Sequence, residues 1–318
     1  MIAHSRRAFM HRLGVSAAGA AALCGLGLSP RSAFAGVTNA DLKFVFYFNS
    51  GGWDPLTVFA PLFGSEDIEM AEGDSELQIG GLRIVDSAER PSVRRFFEEH
   101  HERTAVLNGV SVRSLSHEVC RSICLTGTSS GQEPEWAELL NSARGAGSNE
   151  PQQGETVLEA LRGGVGRSVT ISPAVSWDTH RDNVQQSALF ETLFSDLGQL
   201  VERLANTPGD VGASLADETV LVVMSEMGRT PRFNGRQGRD HWPYTSLMLM
   251  GPGINGSRTY GGFDDQFRGV PIDLELGTPD REGVLLTAGG VGATLVALAG
   301  GDPSTALPGQ PAIRGLLA

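Results

Sequence analysis

Apolar residues gather in short, nearly unbroken runs: LKFVFYF (Leu42–Phe48), TAVLNGV (Thr104–Val110), SVTIS (Ser168–Ser172), TVLVVMS (Thr219–Ser225) and SLMLMG (Ser246–Gly251). Runs of that kind read as strands covered on both faces. Between them the period changes. In ALFETLFSDLGQLVERLA, Leu189, Leu193, Leu197, Leu200 and Leu204 follow helical spacing, and Asn206, Pro208 and Gly209 stop the helix. Strands alternating with helices predict a layered α/β domain with a mostly parallel sheet. Two polar, glycine-rich stretches, Gly64–Gly81 and Asn141–Glu155, read as loops or a reduced cap. The apolar run Val284–Gly301 holds several glycines and reads as a packed helix rather than a stable membrane span.

The first 35 residues follow another pattern, a charged SRRAFMHRLG, an apolar VSAAGAAALCGLGL and a small-residue ending at Ala33-Phe34-Ala35. This predicts a removable export signal, residues 1–35, ahead of one domain, residues 36–318. Paired Arg6-Arg7 before Phe9 match the twin-arginine type, which implies passage through the twin-arginine export machinery to a periplasmic or secreted location. The chain carries 25 basic and 37 acidic residues; without Arg6, Arg7, Arg12 and Arg31 the charge is 21 minus 37, or −16. Nucleic acid and anionic membrane surfaces are poor partners for such a chain. Cys24 leaves with the signal. Cys120 and Cys124 remain, four apart on a predicted helix that also carries His117, and they read as buried thiols in preference to a metal-binding face.

The chemistry-bearing residues fall at predicted strand ends. The first strand runs into NSGGWD and Asp54; the second leads to Ser116-His117; SVTIS is followed by WDTH with Asp178 and His180; TVLVVMS delivers Glu226. Ligands of open parallel sheets gather at the carboxyl ends of strands. Carboxylates with imidazoles suit a divalent ion such as Zn²⁺, Mn²⁺ or Mg²⁺, and the convergence carries more weight than the Asp178/His180 pair alone. After Glu226 come Arg229, Arg232, Arg236 and Arg239, then Asp240-His241. Asn234-Gly235 reads as the tip of a hairpin folding Asp240-His241 back toward Glu226. Four arginines alone would be an exposed set of weak ion pairs. Between those flanks, Arg229 and Arg232 are candidates to clamp an anion bidentately, with Arg229 buried and Arg236 exposed.

SEMGRTPR and GRDHW resemble signature blocks of the domain-of-unknown-function 1501 family, placed with the alkaline-phosphatase and sulfatase superfamily. WDTHRDN, NSGGWD and LSHE are similar to further blocks in the same order, with Met227 and Ser176 in place of the family's Phe and Gly. The resemblance spans Leu42 to His241. It implies a three-layer alkaline-phosphatase-like sandwich with a reduced cap, and one or two divalent ions. Asp54 and Glu226 would serve one ion; Asp178, His180 and His241, with Asp240 beside them, would serve the other. Ser116 or His117 would occupy the catalytic helix-start position, and an anionic small-molecule or polymer ester would be the substrate. The implied activity is hydrolysis of phosphate or sulfate esters. The alternative is a noncatalytic periplasmic or surface binding protein that keeps the fold, because the chain is short where substrate would be gripped and Met227 replaces a superfamily histidine ligand.

Overall fold

The computed structural model describes residues 37–142, 155–162 and 166–318. The predicted signal and nearly all of Asn141–Glu155 lie outside these residues. In chain order the strands used below are β1 (Lys43–Asn49), β2 (Ser75–Ile79), β3 (Leu82–Asp86), β4 (Thr104–Ser111), β5 (Ser168–Ile171), β6 (Thr219–Ser225), β7 (Gly228–Arg229), β8 (His241–Trp242), β9 (Tyr244–Met250) and β10 (Arg258–Gly261), with two short strands, Pro271–Ile272 and Val284–Leu285, after them. The helices used below are α1 (Pro91–His100), α2 (His117–Thr126), α3 (Trp136–Ser142), α4 (Glu155–Arg162), α5 (Gln185–Ala205) and α6 (Ala288–Leu298).

A six-stranded sheet runs in the order β10-β4-β9-β6-β1-β5. Every described position of β1, β4 and β6 is buried, as expected where helices cover both faces. The pleat sends alternate side chains to opposite cores. Phe44, Phe46, Phe48, Val220, Val222 and Met224 pack with residues of α2, α3 and α6. Val45, Tyr47, Leu221 and Val223 pack with residues of α1, α4 and α5. The result is a helix–sheet–helix sandwich.

One strand breaks the direction. β9 is antiparallel to both β4 and β6, whereas β1 is parallel to β5 and β6, and β10 to β4. The start of β9 therefore lies at the carboxyl end of the other five, and this brings the residues just before it, His241 included, to the edge where β1, β4, β5 and β6 finish.

Gly64–Gly81 departs from the loop expectation. β2 falls wholly within it and pairs antiparallel with β3 across Gly80-Gly81, a two-residue glycine turn between alternating segments. The run Val284–Gly301 also divides. Val284 and Leu285 pair with Ile272 and Pro271, and only α6 is helical, with nearly all its residues buried. Among the described residues no helix is long and apolar enough to cross a membrane.

Candidate metal centre

Three loops at the carboxyl edge of the sheet deliver the polar cluster. The loop after β5 is anchored by Trp177, buried against Phe190 at a ring distance of 4.8 Å and Trp53 at 6.1 Å. That anchor turns the next residue, Asp178, outward, and its side chain is 36% exposed. Trp177 N donates to Ser50 O at 2.9 Å, tying this loop to the turn after β1. At that turn Gly51 has φ +117°, and a Cβ there would stand 2.5 Å from Trp177 N, so the close approach requires glycine. The second loop is the start of α2, where His117 follows Ser116. The third is the hairpin of β7 and β8, which sets Arg229 opposite His241. Its connection turns at Asn234, whose backbone carbonyl accepts from Gln237 N while its backbone N–H donates to Gly238 O.

In each of the three histidines Nδ1 is committed to an acceptor. His241 Nδ1 donates to Leu115 O at 2.7 Å, His180 Nδ1 to Asp240 Oδ1 at 2.8 Å, and His117 Nδ1 to Glu226 Oε1 at 3.0 Å. A backbone carbonyl and carboxylates can only accept, so each neutral ring holds its proton on Nδ1 and turns a lone pair out at Nε2. Those lone pairs converge. His180 Nε2 lies 2.9 Å from His241 Nε2. Asp178 Oδ1 lies 3.1 Å from His180 Nε2 and 3.6 Å from His241 Nε2, and Asp178 Oδ2 lies 3.7 Å from His117 Nε2. Ligand atoms of His117, Asp178 and His241 all fall within 4.8 Å of one another. Two imidazole lone pairs and a carboxylate oxygen at such distances repel unless a metal ion or a shared proton lies among them.

Asp178 stays ionised. Burial pushes its carboxyl up, but the Arg229 hydrogen bond and charge, with His180 and His117, outweigh that and hold it below the usual range. The His241 imidazole is pushed down chiefly by burial, with Arg229 and the other two histidines acting in the same sense, so its lone pair stays available despite the Leu115 carbonyl. The Asp240 carboxyl is held down, first by its hydrogen bond to His180. The ligand atoms are thus backed by a second layer of acceptors that fixes ring tautomer and aim, the usual support of a metal-binding histidine.

The sequence-predicted residues separate into distinct roles. Asp178, His180 and His241 meet, and His117, expected at a catalytic position, presents Nε2 to the same point. Glu226 is buried and its Oε1 is taken by Gly51 N at 2.6 Å and by His117, so it braces the cluster. Asp54 is removed from it. Its Oδ1 accepts Leu56 N at 3.0 Å, and its Oδ2 faces Asn183 Nδ2 at 2.8 Å and Arg239 Nε at 3.1 Å. Asp54 is the N-cap of the 3-10 turn Pro55–Thr57, a role that occupies its carboxylate. The anion clamp is also revised. Arg229 is fully buried, and its guanidinium donates to the carbonyls of Gly51, Gly52 (2.8 Å) and Arg239 (3.1 Å) and to Asp178 Oδ1 (2.7 Å). Arg232 donates to Glu66 O at 2.8 Å and Asp67 Oδ1 at 2.9 Å. Ser116 is exposed at the N-cap of α2, with no cap hydrogen bond from its side chain. Cys120 and Cys124 are free and buried, and burial pushes both thiols up, that of Cys120 to about 11, which favours their protonated forms. The Leu115 carbonyl was not legible in the sequence, because a backbone acceptor leaves no side-chain signal.

Fold and site together define an α/β protein with an imidazole–carboxylate cluster at the strand ends of its central sheet. The model of the family described as "Protein of unknown function (DUF1501)" matches residues 141–271, which supports that family over the segment holding Asp178, His180, Glu226, Asp240 and His241. No curated protein matches the chain in sequence. Among solved structures, one from work on the metabolism of multiple glycosaminoglycans by Bacteroides thetaiotaomicron aligns at 11% identity, covering 84% of this chain and 74% of its own, with a TM-score of 0.46. Ps i-CgsB in complex with a neocarrahexaose, and Ps i-CgsB alone, align at 10% identity over 86% of this chain and 77% of theirs, with TM-scores of 0.43 and 0.44. Similarities this distant carry no claim about chemistry.

Proposed function

We propose that the chain is an exported hydrolase of sulfate or phosphate esters built on a single divalent ion held by His117, Asp178, His180 and His241. The observation that supports the ion is the 2.9 Å approach of His180 Nε2 to His241 Nε2, with both Nδ1 atoms already committed to acceptors. Three nitrogens and one carboxylate oxygen form the donor set of zinc in preference to magnesium, which takes oxygen almost throughout. One ion fits better than two, because Asp54 and Glu226 are spent on protein donors. Such an ion supplies Lewis acidity toward a non-bridging ester oxygen.

The chain's own residues do the rest. Arg229 keeps Asp178 ionised and aimed, and Glu226, Asp240 and the Leu115 carbonyl keep three lone pairs turned inward. Asp178 and His180 are each 36% exposed and His117 is 38% exposed, so an ester group can reach the cluster from solvent. The Ser116 hydroxyl next to His117 is the candidate nucleophile. Its oxygen would bond to sulfur or phosphorus as the ester oxygen departs and takes a proton, and water would then release the acid from the serine.

Metal analysis of the purified protein tests the first part. One zinc per chain is expected, lost on His180→Ala and on His241→Ala with the fold retained by circular dichroism. A metal-free protein that stays metal-free on dialysis against zinc refutes the centre. Turnover of p-nitrophenyl sulfate or phosphate, abolished by Ser116→Ala while zinc is retained, tests the second part; binding of zinc without turnover of either ester leaves the noncatalytic alternative.

A further inference from the structure

Beside α5, near the carboxyl ends of β1 and β5, lies a cavity of about 340 Å³ that the proposed hydrolysis does not use. Its volume is at the small end of the range for small-molecule sites. Tyr47 of β1, Ile171 at the end of β5, Pro173 just beyond it and Leu200 of α5 give it an apolar floor. Ile171, Pro173 and Leu200 are only half-buried, so a ligand can reach them. Along this floor stand three side chains of α5, Asp196, Gln199 and Arg203, all exposed.

The order of those three groups on the helix decides what fits. Asp196 and Arg203 are two turns apart, so they share a face, with their backbones about 10.5 Å apart along the axis. Neither charge is spent on the other. The Arg203 guanidinium makes no hydrogen bond or ion pair among the described residues. Asp196 accepts from the hydroxyl of Tyr47, a side chain that its strand holds in place at 7% exposure. Burial and the Asp196 charge push that hydroxyl up to about 12, so it stays a donor and fixes the carboxylate at one end of the floor. Between the two charges, Gln199 Nε2 donates to Ser195 Oγ at 3.4 Å, which leaves Oε1 as an acceptor for the middle of a ligand.

A simple cation is opposed by Arg203 and a simple anion by Asp196. A neutral apolar molecule covers the floor but desolvates both charges without pairing either. Only a ligand with an ammonium at one end, a carboxylate at the other and an apolar body satisfies the whole wall. Helical side chains lean toward the N-terminus, so Arg203 reaches back toward Asp196 and shortens the span between the charges. Two or three residues of extended peptide reach about 7–10 Å. We infer that this cavity is a binding site for a zwitterionic di- or tripeptide with apolar side chains, its amino group on Asp196 and its carboxylate on Arg203.

Titration calorimetry of the purified protein at neutral pH with dileucine and trileucine tests this, with N-acetyl-dileucine and dileucine amide as the singly charged comparators. Saturable binding of at least one free peptide is expected, weakened about tenfold by either cap, the loss of one charge-assisted contact. Asp196→Asn keeps an acceptor for Tyr47 and should remove the penalty for N-acetylation while leaving that for amidation. Arg203→Gln should do the reverse. Because the site does not depend on the ion, chelator-treated protein should bind the same peptide unchanged, even if the metal centre proves wrong. Binding of neither peptide, indifference to either cap, or a cap penalty that survives its matching substitution overturns the inference.

Discussion

At the scale of single residues, the site rests on how each polar atom is already spent. Arg229 is the clearest example. Its position three residues after Glu226 suggested an anion clamp, but a fully buried guanidinium with carbonyls on every side is an internal brace, and no sequence pattern distinguishes the two. Asp178, His180 and His241 were legible because their residue types repeat a ligand chemistry. The tautomer of His241 was not, because Leu115 acts through its backbone. Two predictions belong here. Arg229→Lys loses the planar fork, orphans buried carbonyls and frees Asp178, so urea unfolding should show a loss of about 3 kcal/mol. Asp240→Asn keeps the size but replaces the carboxylate that orients His180, and zinc affinity measured by competition with a chelator should fall roughly 10- to 100-fold with unchanged thermal stability of the ion-free protein. An equal loss of stability in the ion-free state would mean that Asp240 is only a structural partner.

At the scale of elements, the strands were readable from their apolar runs and α5 from its period. The buried stripe of α5 is Phe190, Leu193, Phe194, Leu197, Val201 and Leu204, with Leu189 and Leu200 at its margin. Direction was not readable, since an apolar run in β9 looks the same either way. That reversal is what lets His241 precede its strand and still join residues that follow theirs. The β2–β3 turn had its signal in Gly80-Gly81, but the polar residues around it masked the alternation. The loops that carry the ligands meet through another glycine. A Cβ at Gly238 would stand 2.1 Å from both the carbonyl carbon and the oxygen of His180. The clash is with backbone, so it cannot be relieved by a rotamer change. Gly238→Ala should therefore separate the His180 loop from the Asp240-His241 arm and lower zinc affinity at least about tenfold, while strands and helices persist by circular dichroism. Retention of full zinc affinity would show that the loops are not held in register there.

At the scale of the whole molecule, the sheet has two charged poles. The carboxyl edge carries the cluster of histidines and acids, and the opposite edge carries Lys43, the single lysine of an acidic chain. Lys43 is 5% exposed and its Nζ reaches Glu218 Oε1 at 2.6 Å and Asp210 Oδ2 at 2.8 Å. Glu218, itself fully buried, also accepts the backbone N–H groups of Asp210, Val211 and Gly212. Burial pushes the Glu218 carboxyl up, but Lys43 and those three donors outweigh it and hold the group below the usual range. A carboxyl with a depressed folded value contributes stability that is full above its unfolded pKa, about 4.3, and is lost as pH falls through the folded value. Acidification has an opposing effect on this chain, because neutralising surface carboxylates relieves the repulsion of a net charge of −12. The two are separable, since salt screens the exposed charges and leaves a buried pair largely untouched. Urea unfolding at high salt should show stability falling steadily below about pH 4, with a shallower fall in Lys43→Met/Glu218→Leu, which replaces the pair by apolar packing. Lys43→Met alone strands a buried carboxylate and should cost about 3–5 kcal/mol at neutral pH, partly recovered on acidification as Glu218 protonates. If the double variant kept the full acid dependence, the fall would have to arise at other carboxylates, and the lysine pole would be incidental to the fold.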